Sequence, residues 1–337
     1  MNFVSVGDMA QMFRLQRQNV AIKTEMGRLT QELTTGKSAD TGAAVKGDYT
    51  ALAGLDRSLR TLESYKFVTQ EAETLSGNMQ SVAETLSALT DGFGSALLTA
   101  GSSASNAMID AAANNANEKF ESAVAAINSN TAGRFLFSGQ ATDTRPLADP
   151  SVILGALGSA ISGETSTSGV LNQIDMWFNA PAGGGGYLDI AYQGGAPLAP
   201  FHIGEGETAN LNITAADPDI RDTLKSLAIG ALLSDGLFAG DTGKRALIAN
   251  AAGERVITAA GSITNIGSAI GAAQGRVESV ATRNGAETAA LQLARNEIVA
   301  VDEYDSATAL EALQTQMETL YTLTARLANL SLTDYMR

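Results

Sequence analysis

Residues 308–337 read TALEALQTQMETLYTLTARLANLSLTDYMR, and this stretch decides the fold. Its apolar residues alternate three and four positions apart, which is the spacing of a helix that turns one face toward another helix. The members of this face are Leu310, Leu313, Met317, Leu320, Leu323, Leu327 and Leu330, with Thr324 in the same seam. Because an uncovered apolar face favours fraying or aggregation, the helix requires a partner surface.

The first thirty residues carry a matching pattern. The same spacing joins Met12, Leu15, Asn19, Ile22, Met26, Leu29 and Leu33, where Asn19 is the polar exception. Spacing alone leaves open whether the two stripes form an ordinary bundle core within one chain or pack between chains. We predict that the apolar residues of both stripes form a subunit interface.

The composition excludes several classes of partner. The chain has 337 residues and no cysteine, so it contains no disulfide. Its 22 basic and 36 acidic residues give a net charge of -14, which repels nucleic acid and anionic membranes. The 11 acidic and 3 basic residues of the segment 141–240 predict a solvated, outward-facing middle. We expect neither nucleic acid nor a membrane as a partner.

Two kinds of membrane signal are also not expected. No run of about eighteen apolar residues marks a membrane-spanning helix. At the N-terminus, Asp8, Gln11, Arg14 and Arg17 interrupt what would be the apolar core of a signal peptide. We therefore expect export, if it occurs, to leave the front of the chain uncut.

Helical periodicity extends over much of the remaining chain. We predict helices over 4–34, about 49–90, 108–127 and about 242–301, with a weak point or bend at 91–94. Gly36 is predicted to end the first helix. In the last of these segments we expect Ile257, Ile263, Ile266 and Ile270 to be buried. Gly267, Gly271 and Gly275 are expected to admit a closely packed neighbour, and Asp302, Asp305 and the capping box Thr308-x-x-Glu311 to start the terminal helix.

The middle of the chain has a different composition. The string GRFLFSGQATDT at 133–144 predicts a strand and hairpin, because its aromatic residues alternate between glycines. Residues 146–217 are rich in Gly, Ser, Thr and Pro, and we predict strands at 187–192, 200–203 and 209–214 in a small separate domain. Asp217-Pro218 is predicted to open a further helix.

No constellation of residues predicts catalysis. His202 is the only histidine, so neither a zinc site nor a Ser-His-Asp triad is expected. Gly240–Arg245 departs from a phosphate loop, and the acids at 217–222 depart from a calcium loop. The glycine run 183–186 is more typical of a flexible turn than of an anion cradle. We predict no catalytic residue, no metal site and no cofactor, and hence no enzyme.

Three strings resemble the flagellin family, and within it the hook-associated proteins of the hook–filament junction. They are residues 26–37, which end Leu33-Thr34-Thr35-Gly36-Lys37, the string at 133–144, and the ending 302–337 with Leu330-Ser331-Leu332-Thr333-Asp334-Tyr335. Together with the order of helix, variable middle and helix, the resemblance spans the chain. One departure is the link Ala39-Asp40-Thr41-Gly42-Ala43-Ala44, where many relatives have a paired-Asp-Pro link.

The resemblance implies a mainly α fold with a smaller β-containing part. Long terminal helices, 1–36 with 303–337, would form a coiled-coil inner assembly domain. A helical rod domain would comprise 48–145 with 240–300, including a hairpin at 133–147, and a variable α+β outer domain would be inserted at 146–239. These boundaries are those of the family's layers transferred to this sequence.

The resemblance also implies a function. The chain would be a structural component of the flagellum, an extracellular adaptor that joins hook to filament and is required for motility. It would assemble into a ring and contact neighbouring hook-associated protein and flagellin subunits, after export through the flagellar secretion system with a flagellar export chaperone. The alternative within the family is flagellin, the filament subunit, and the short middle segment and the ending at 330–335 disfavour it. An enzyme housed in the middle segment is a further alternative, which the lack of a metal or triad set disfavours.

Overall fold

The computed structural model describes residues 6–335 of the backbone and the side chains of residues 9–326. The fold is mainly α with a small β part. Its helices are α1 (Val6–Thr35), α2 (Thr41–Ala44), α3 (Thr50–Thr90), α4 (Phe93–Ser103), α5 (Asn106–Ile127), α6 (Pro150–Ala160), α7 (Thr167–Asn179), α8 (Tyr187–Ile190), α9 (Pro218–Leu232), α10 (Thr242–Val299) and α11 (Glu303–Tyr335). Two antiparallel hairpins pair β1 (Asn130–Thr131) with β2 (Arg134–Phe135) and β3 (Phe201–Gly204) with β4 (Glu207–Ala209).

The chain forms two compact units. The terminal unit comprises Met1–Leu62 and Gly285–Arg337, and the central unit comprises Glu63–Asn284. Helices α3 and α10 contribute residues to both. The three-part division expected from the sequence stays a prediction.

The long helices lie close to their predicted positions, and glycines end two of them. Gly36 follows α1 with φ +65° and donates its N–H to the Glu32 carbonyl at 2.8 Å, which is the left-handed stop expected there. Gly92 also has φ +65° and separates α3 from α4, so the predicted bend at 91–94 is confirmed. Asp217 Oδ1 accepts from the Asp219 N–H at 3.0 Å and caps α9, whose first residue is Pro218.

One hydrophobic core in the central unit contains buried residues of helices α3 through α7 and of helices α9 and α10. Its fully buried side chains include Leu97 of α4, Phe120 of α5, Leu157 of α6 and Phe178 of α7. A smaller cluster packs the β3–β4 hairpin, through Ile203 and its neighbours, with buried residues of α3 and α10. The helices of the segment 146–217 thus share the main core, while its β3–β4 hairpin packs in the smaller cluster.

The strand predictions in the middle are largely wrong. Residues 187–190 form helix α8, because Tyr187 is fully buried and its hydroxyl donates to the Ala215 carbonyl at 2.7 Å. The predicted strand at 200–203 is confirmed as β3. The strand expected at 209–214 stops at Ala209, because Ala209 pairs with Phe201, where the partner strand begins.

The hairpin expected at 133–144 is also displaced. It spans 130–135, and its turn residues Ala132 and Gly133 have φ of +52° and +81°. Leu136 and Phe137 then leave the ladder and enter the main core. Burial of these two side chains thus ends the strand that their alternation suggested.

Helix α10 departs from its predictions in two respects. Ile263, Ile266 and Ile270 are buried as expected, but Ile257 is exposed. By length and composition alone, α10 is also the one described helix that could cross a membrane, whereas the sequence led us to expect none. Its buried isoleucines belong to the main core.

Close helix approach occurs at Gly253 rather than at the predicted glycine stripe. A Cβ at Gly253 would lie 2.8 Å from the Gly94 carbonyl oxygen of α4, whereas one at Gly271 would meet nothing within 4 Å. Gly253→Ala should destabilise the central unit by roughly 1–2 kcal/mol, since overpacking outweighs the gain in helix propensity. Gly271→Ala, the control, should stabilise it by up to about 1 kcal/mol. Urea unfolding followed by Trp177 fluorescence checks both, and equal effects would contradict the crossing at Gly253.

An ion-pair network ties α7 to α9 and α10. Both carboxylate oxygens of Asp175 accept from the guanidinium of Arg255 at 2.7 Å, and Lys225 Nζ lies 3.3 Å from Asp175 Oδ1. Partial burial works to raise the pKa of Asp175, but the hydrogen bond and charge of Arg255, with those of Lys225, outweigh it and lower that pKa. The network therefore stabilises the fold above about pH 4, the ordinary pKa of Asp, and is lost as the pH falls through the lowered pKa.

Asp175→Asn tests this network. At pH 7 the variant should lose about 1–2 kcal/mol of stability, a modest value because Asp175 is about a third exposed, and its melting temperature should fall by roughly 3–6 °C. Near pH 3 the difference from the unmodified protein should shrink. The adjacent Trp177 is the only tryptophan and is buried against Phe178 and Tyr187, so its fluorescence reports unfolding. Exposed Asp235→Asn is the control, and a pH-independent difference would contradict the assignment.

Candidate functional site

The two terminal helices pack together in the terminal unit. Helix α1 lies along α11, and Ile22, Leu29 and Leu320 are each only 5% exposed. These three residues define the seam. Half-buried positions accompany them, namely Leu15, Met26, Leu310, Leu313 and Met317. The structure thus buries or half-buries eight of the thirteen residues predicted to form an interface.

The remaining predicted residues lie outside the seam or outside the described side chains. Met12 is 67% exposed, Leu323 is 47% exposed and Leu33 is 37% exposed. Leu327 and Leu330 lie outside the described side chains. Three of the predicted residues therefore face away from the pair, on surfaces that another molecule can reach.

A polar contact accompanies the seam at the one polar position predicted in the α1 stripe. Asn19 is half-buried on α1, and Tyr321 is 50% exposed on α11. The polar side chain of Asn19, and after it the charge of Lys23, lower the pKa of Tyr321. The two helices therefore bring these polar groups near each other at the exposed edge of the seam.

The turn after α1 connects to the start of α11. The backbone N–H of Ser38 donates to the Val299 carbonyl at 2.8 Å, and that of Val301 donates to the Gly36 carbonyl at 3.2 Å. The buried Glu32 accepts from Arg28 at 2.6 Å and from the Ala39 N–H at 3.0 Å. These bonds fix the two helix ends side by side, which brings the apolar stripes into contact.

The predicted capping box at Thr308 is wrong. Helix α11 begins at Glu303, and Asp302 Oδ1 accepts from the N–H groups of Tyr304 and Asp305 at 2.9 and 3.2 Å. Thr308 lies inside the helix, where its hydroxyl donates to the Tyr304 carbonyl. Asp302, six residues before Thr308, supplies the cap because it directly follows Val301, which pairs with Gly36.

A second apolar stripe on α1 was missed. Met9, Phe13 and Val20 are 61%, 62% and 60% exposed and, with Met12, form what we call the outer stripe. The Arg17 guanidinium lies 6.0 Å from the centre of the Phe13 ring. Residues 9, 13 and 20 are four and seven positions apart, so their common helix face is visible in the sequence, although the stronger stripe beside it determined the prediction. The outer stripe offers an apolar surface to a partner.

Two other candidate sites form hydrogen bonds within the chain itself. The amides of Gly183 and Gly185 already donate to Asp189 at 2.8 and 2.7 Å, and these bonds, first that of Gly183, lower the pKa of Asp189. Asp241 accepts from the Lys244 N–H at 3.0 Å, so a side chain of the protein itself caps α10. His202 is exposed on β3, and no group of metal-ligating residues was found among the described residues.

Comparison with known proteins finds a family match for one region of the chain. Residues 254–336 match the family model of the bacterial flagellin C-terminal helical region. No curated protein sequence matches the chain. A solved structure of a candidate flagellar hook-associated protein from Vibrio parahaemolyticus matches with 13% identity and a TM-score of 0.49, over 73% of this chain and 95% of that one.

The family match covers α11 and most of α10, and it therefore includes one half of the terminal helix pair. The match to a flagellin region agrees with the prediction that the chain is not an enzyme. Residues 254–336 of this chain are thus similar to the C-terminal helical region of bacterial flagellins.

Proposed function

We propose that this chain is the adaptor that joins hook to filament, located outside the cell at the hook–filament junction. The observation that carries the proposal is the resemblance of residues 302–337 to the junction group, in the same segment that matches the flagellin C-terminal region. The filament subunit is the rival function within the family, since it would also assemble through terminal helices.

The terminal unit supplies surfaces suited to assembly. The seam holds α1 against α11, while the outer stripe, Leu33 and Leu323 stay exposed in the single chain. Burying one large apolar side chain contributes roughly 1.5–3 kcal/mol, so covering several of them on each subunit can support a stable assembly. In this proposal the exposed members of the predicted interface contact neighbouring subunits, and the seam residues orient the helices that present them.

The proposal includes the partners that such an adaptor requires. Copies of the chain form a ring, which contacts a neighbouring hook-associated protein on one side and flagellin subunits on the other. The inner layer is 1–36 with 303–337, the rod is 48–145 with 240–300, and the outer part is 146–239. A flagellar export chaperone delivers the subunit to the flagellar export system.

Deletion of the gene separates the two functions. For an adaptor, mutant cells should keep their hooks, lack filaments and release unpolymerised flagellin into the medium. For a filament subunit, the medium should instead lack the main filament protein. Electron microscopy of the cells detects hooks and filaments, and mass spectrometry of the culture medium detects released flagellin. Mutant cells that carry the wild-type gene on a plasmid serve as the control. Normal filaments on the mutant cells would contradict the proposal.

A further inference from the structure

The methionines of this chain are its principal oxidisable side chains. The sequence holds nine methionines and no cysteine, and thioethers are oxidised readily by peroxides. Met9, Met12 and Met176 are 61%, 67% and 64% exposed, whereas Met79 is fully buried. An oxidant in solution therefore reaches some thioethers far more easily than others.

Two of the exposed methionines lie on the outer stripe. Met9 and Met12 are three residues apart on α1, and Phe13 lies beside them on the next turn. A sulfoxide at either position adds an oxygen that requires a hydrogen-bond partner. Water provides that partner in the free subunit, but an apolar interface does not. Oxidation should thus leave the folded monomer intact and disfavour association.

We propose that Met9 and Met12 form an oxidation-sensitive modification site that controls whether the free subunit can assemble. The co-reactant is hydrogen peroxide. The thioether sulfur attacks one peroxide oxygen, the O–O bond breaks and an S–O bond forms. The sulfur is oxidised by two electrons, and the second oxygen leaves as hydroxide, which takes the proton of the sulfur-bound O–H group and becomes water. Methionine sulfoxide reductases, one for each epimer, reverse the change. The inference rests on the proposed assembly role of the terminal helices.

Met176 provides an internal control. It is as exposed as Met9 and Met12, but it lies on α7 in the central unit. The same peroxide treatment should oxidise it to a similar extent, without an effect on assembly. Any loss of assembly that follows Met9 and Met12 but not Met176 therefore reports the site and not general damage.

The experiment uses the full-length protein and hooks isolated from a strain that lacks it. Three proteins are treated with hydrogen peroxide, and the reaction is quenched with catalase: wild type, Met9→Leu/Met12→Leu and Met176→Leu. Each protein is then pelleted with the hooks to measure binding. Peptide mass spectrometry maps the sulfoxides. Wild type and Met176→Leu should lose about 100-fold or more in hook affinity, roughly tenfold for each buried sulfoxide. The Met9→Leu/Met12→Leu variant should keep its affinity.

Three results would overturn the inference: equal loss in all three proteins, oxidation that spares Met9 and Met12, or full binding by protein oxidised at both. If the Met9→Leu/Met12→Leu variant fails to bind hooks before peroxide treatment, oxidised wild-type protein is treated with the reductases instead. Recovery of hook binding then supports the modification site, and failure to recover contradicts it. Untreated wild type that binds hooks upholds the proposed function in every case. Untreated wild type that does not bind hooks contradicts both.

Discussion

A subunit that carries Met12→Asp is expected to fold normally and to fail in assembly. Met12 is 67% exposed on α1, so a carboxylate there stays hydrated in the monomer, and the melting temperature should not change by more than about 1–2 °C. In the proposed assembly, a neighbouring subunit covers the outer stripe. Burying the unpaired charge would then cost several kcal/mol, which reduces association by more than about 100-fold.

Met176→Asp is the matched control for Met12→Asp. It changes the same residue type at nearly the same exposure, 64%, but on α7 in the central unit. Swimming assays and hook pelleting should show loss for Met12→Asp and near-normal behaviour for Met176→Asp. If Met12→Asp assembles normally, the outer stripe is not an interface.

A subunit that carries Leu320→Asp is expected to lose both assembly and the helix pair itself. Leu320 is 5% exposed in the seam between α1 and α11, so a charge there costs several kcal/mol while the pair remains closed. One pair of helices offers little other burial to offset that cost, and the pair should open. Limited trypsin digestion should then cut at Lys23 and Arg28 faster than in the wild type, while the Trp177 melting curve of the central unit stays unchanged.

Leu323→Asp is the control for the seam, since it lies one turn further along α11 and is 47% exposed. Its digestion pattern should match the wild type, although its assembly should be impaired. Equal protease resistance of Leu320→Asp and Leu323→Asp would contradict an intramolecular seam. The two variants thus separate the packing of α1 against α11 from the contacts between subunits.

The long helices were predictable because local signals and burial agree in them. The three-four stripes, the stop at Gly36 and the Asp217-Pro218 start are each specified by a few neighbouring residues. Tyr187 shows where such reasoning fails. Its segment has the residues of a strand, but burial of one aromatic ring against Trp177 and Phe178 selects a helical turn.

Neither the spacing of glycines nor the spacing of apolar residues identifies which surface a helix packs against. The stripe at 267, 271 and 275 signals a close approach, but the close approach of α10 to α4 joins Gly253 to Gly94, which are far apart in sequence. Similarly, the α1 pattern identifies the seam residues but does not say which of two apolar faces its partner helix takes. The spacing of the outer stripe is visible in the sequence, but its exposure could be recognised only after the position of α11 was known, because exposure depends on the partner and not on the period.

Immunogold electron microscopy tests the central claim most directly. An antibody raised against the exposed surface of the central unit, around Met176, leaves the terminal helices untouched. On intact flagella, gold should appear as a single band where the hook meets the filament, and a strain that lacks the gene should show no label. Gold distributed along the whole filament would show a filament subunit and would contradict the adaptor account.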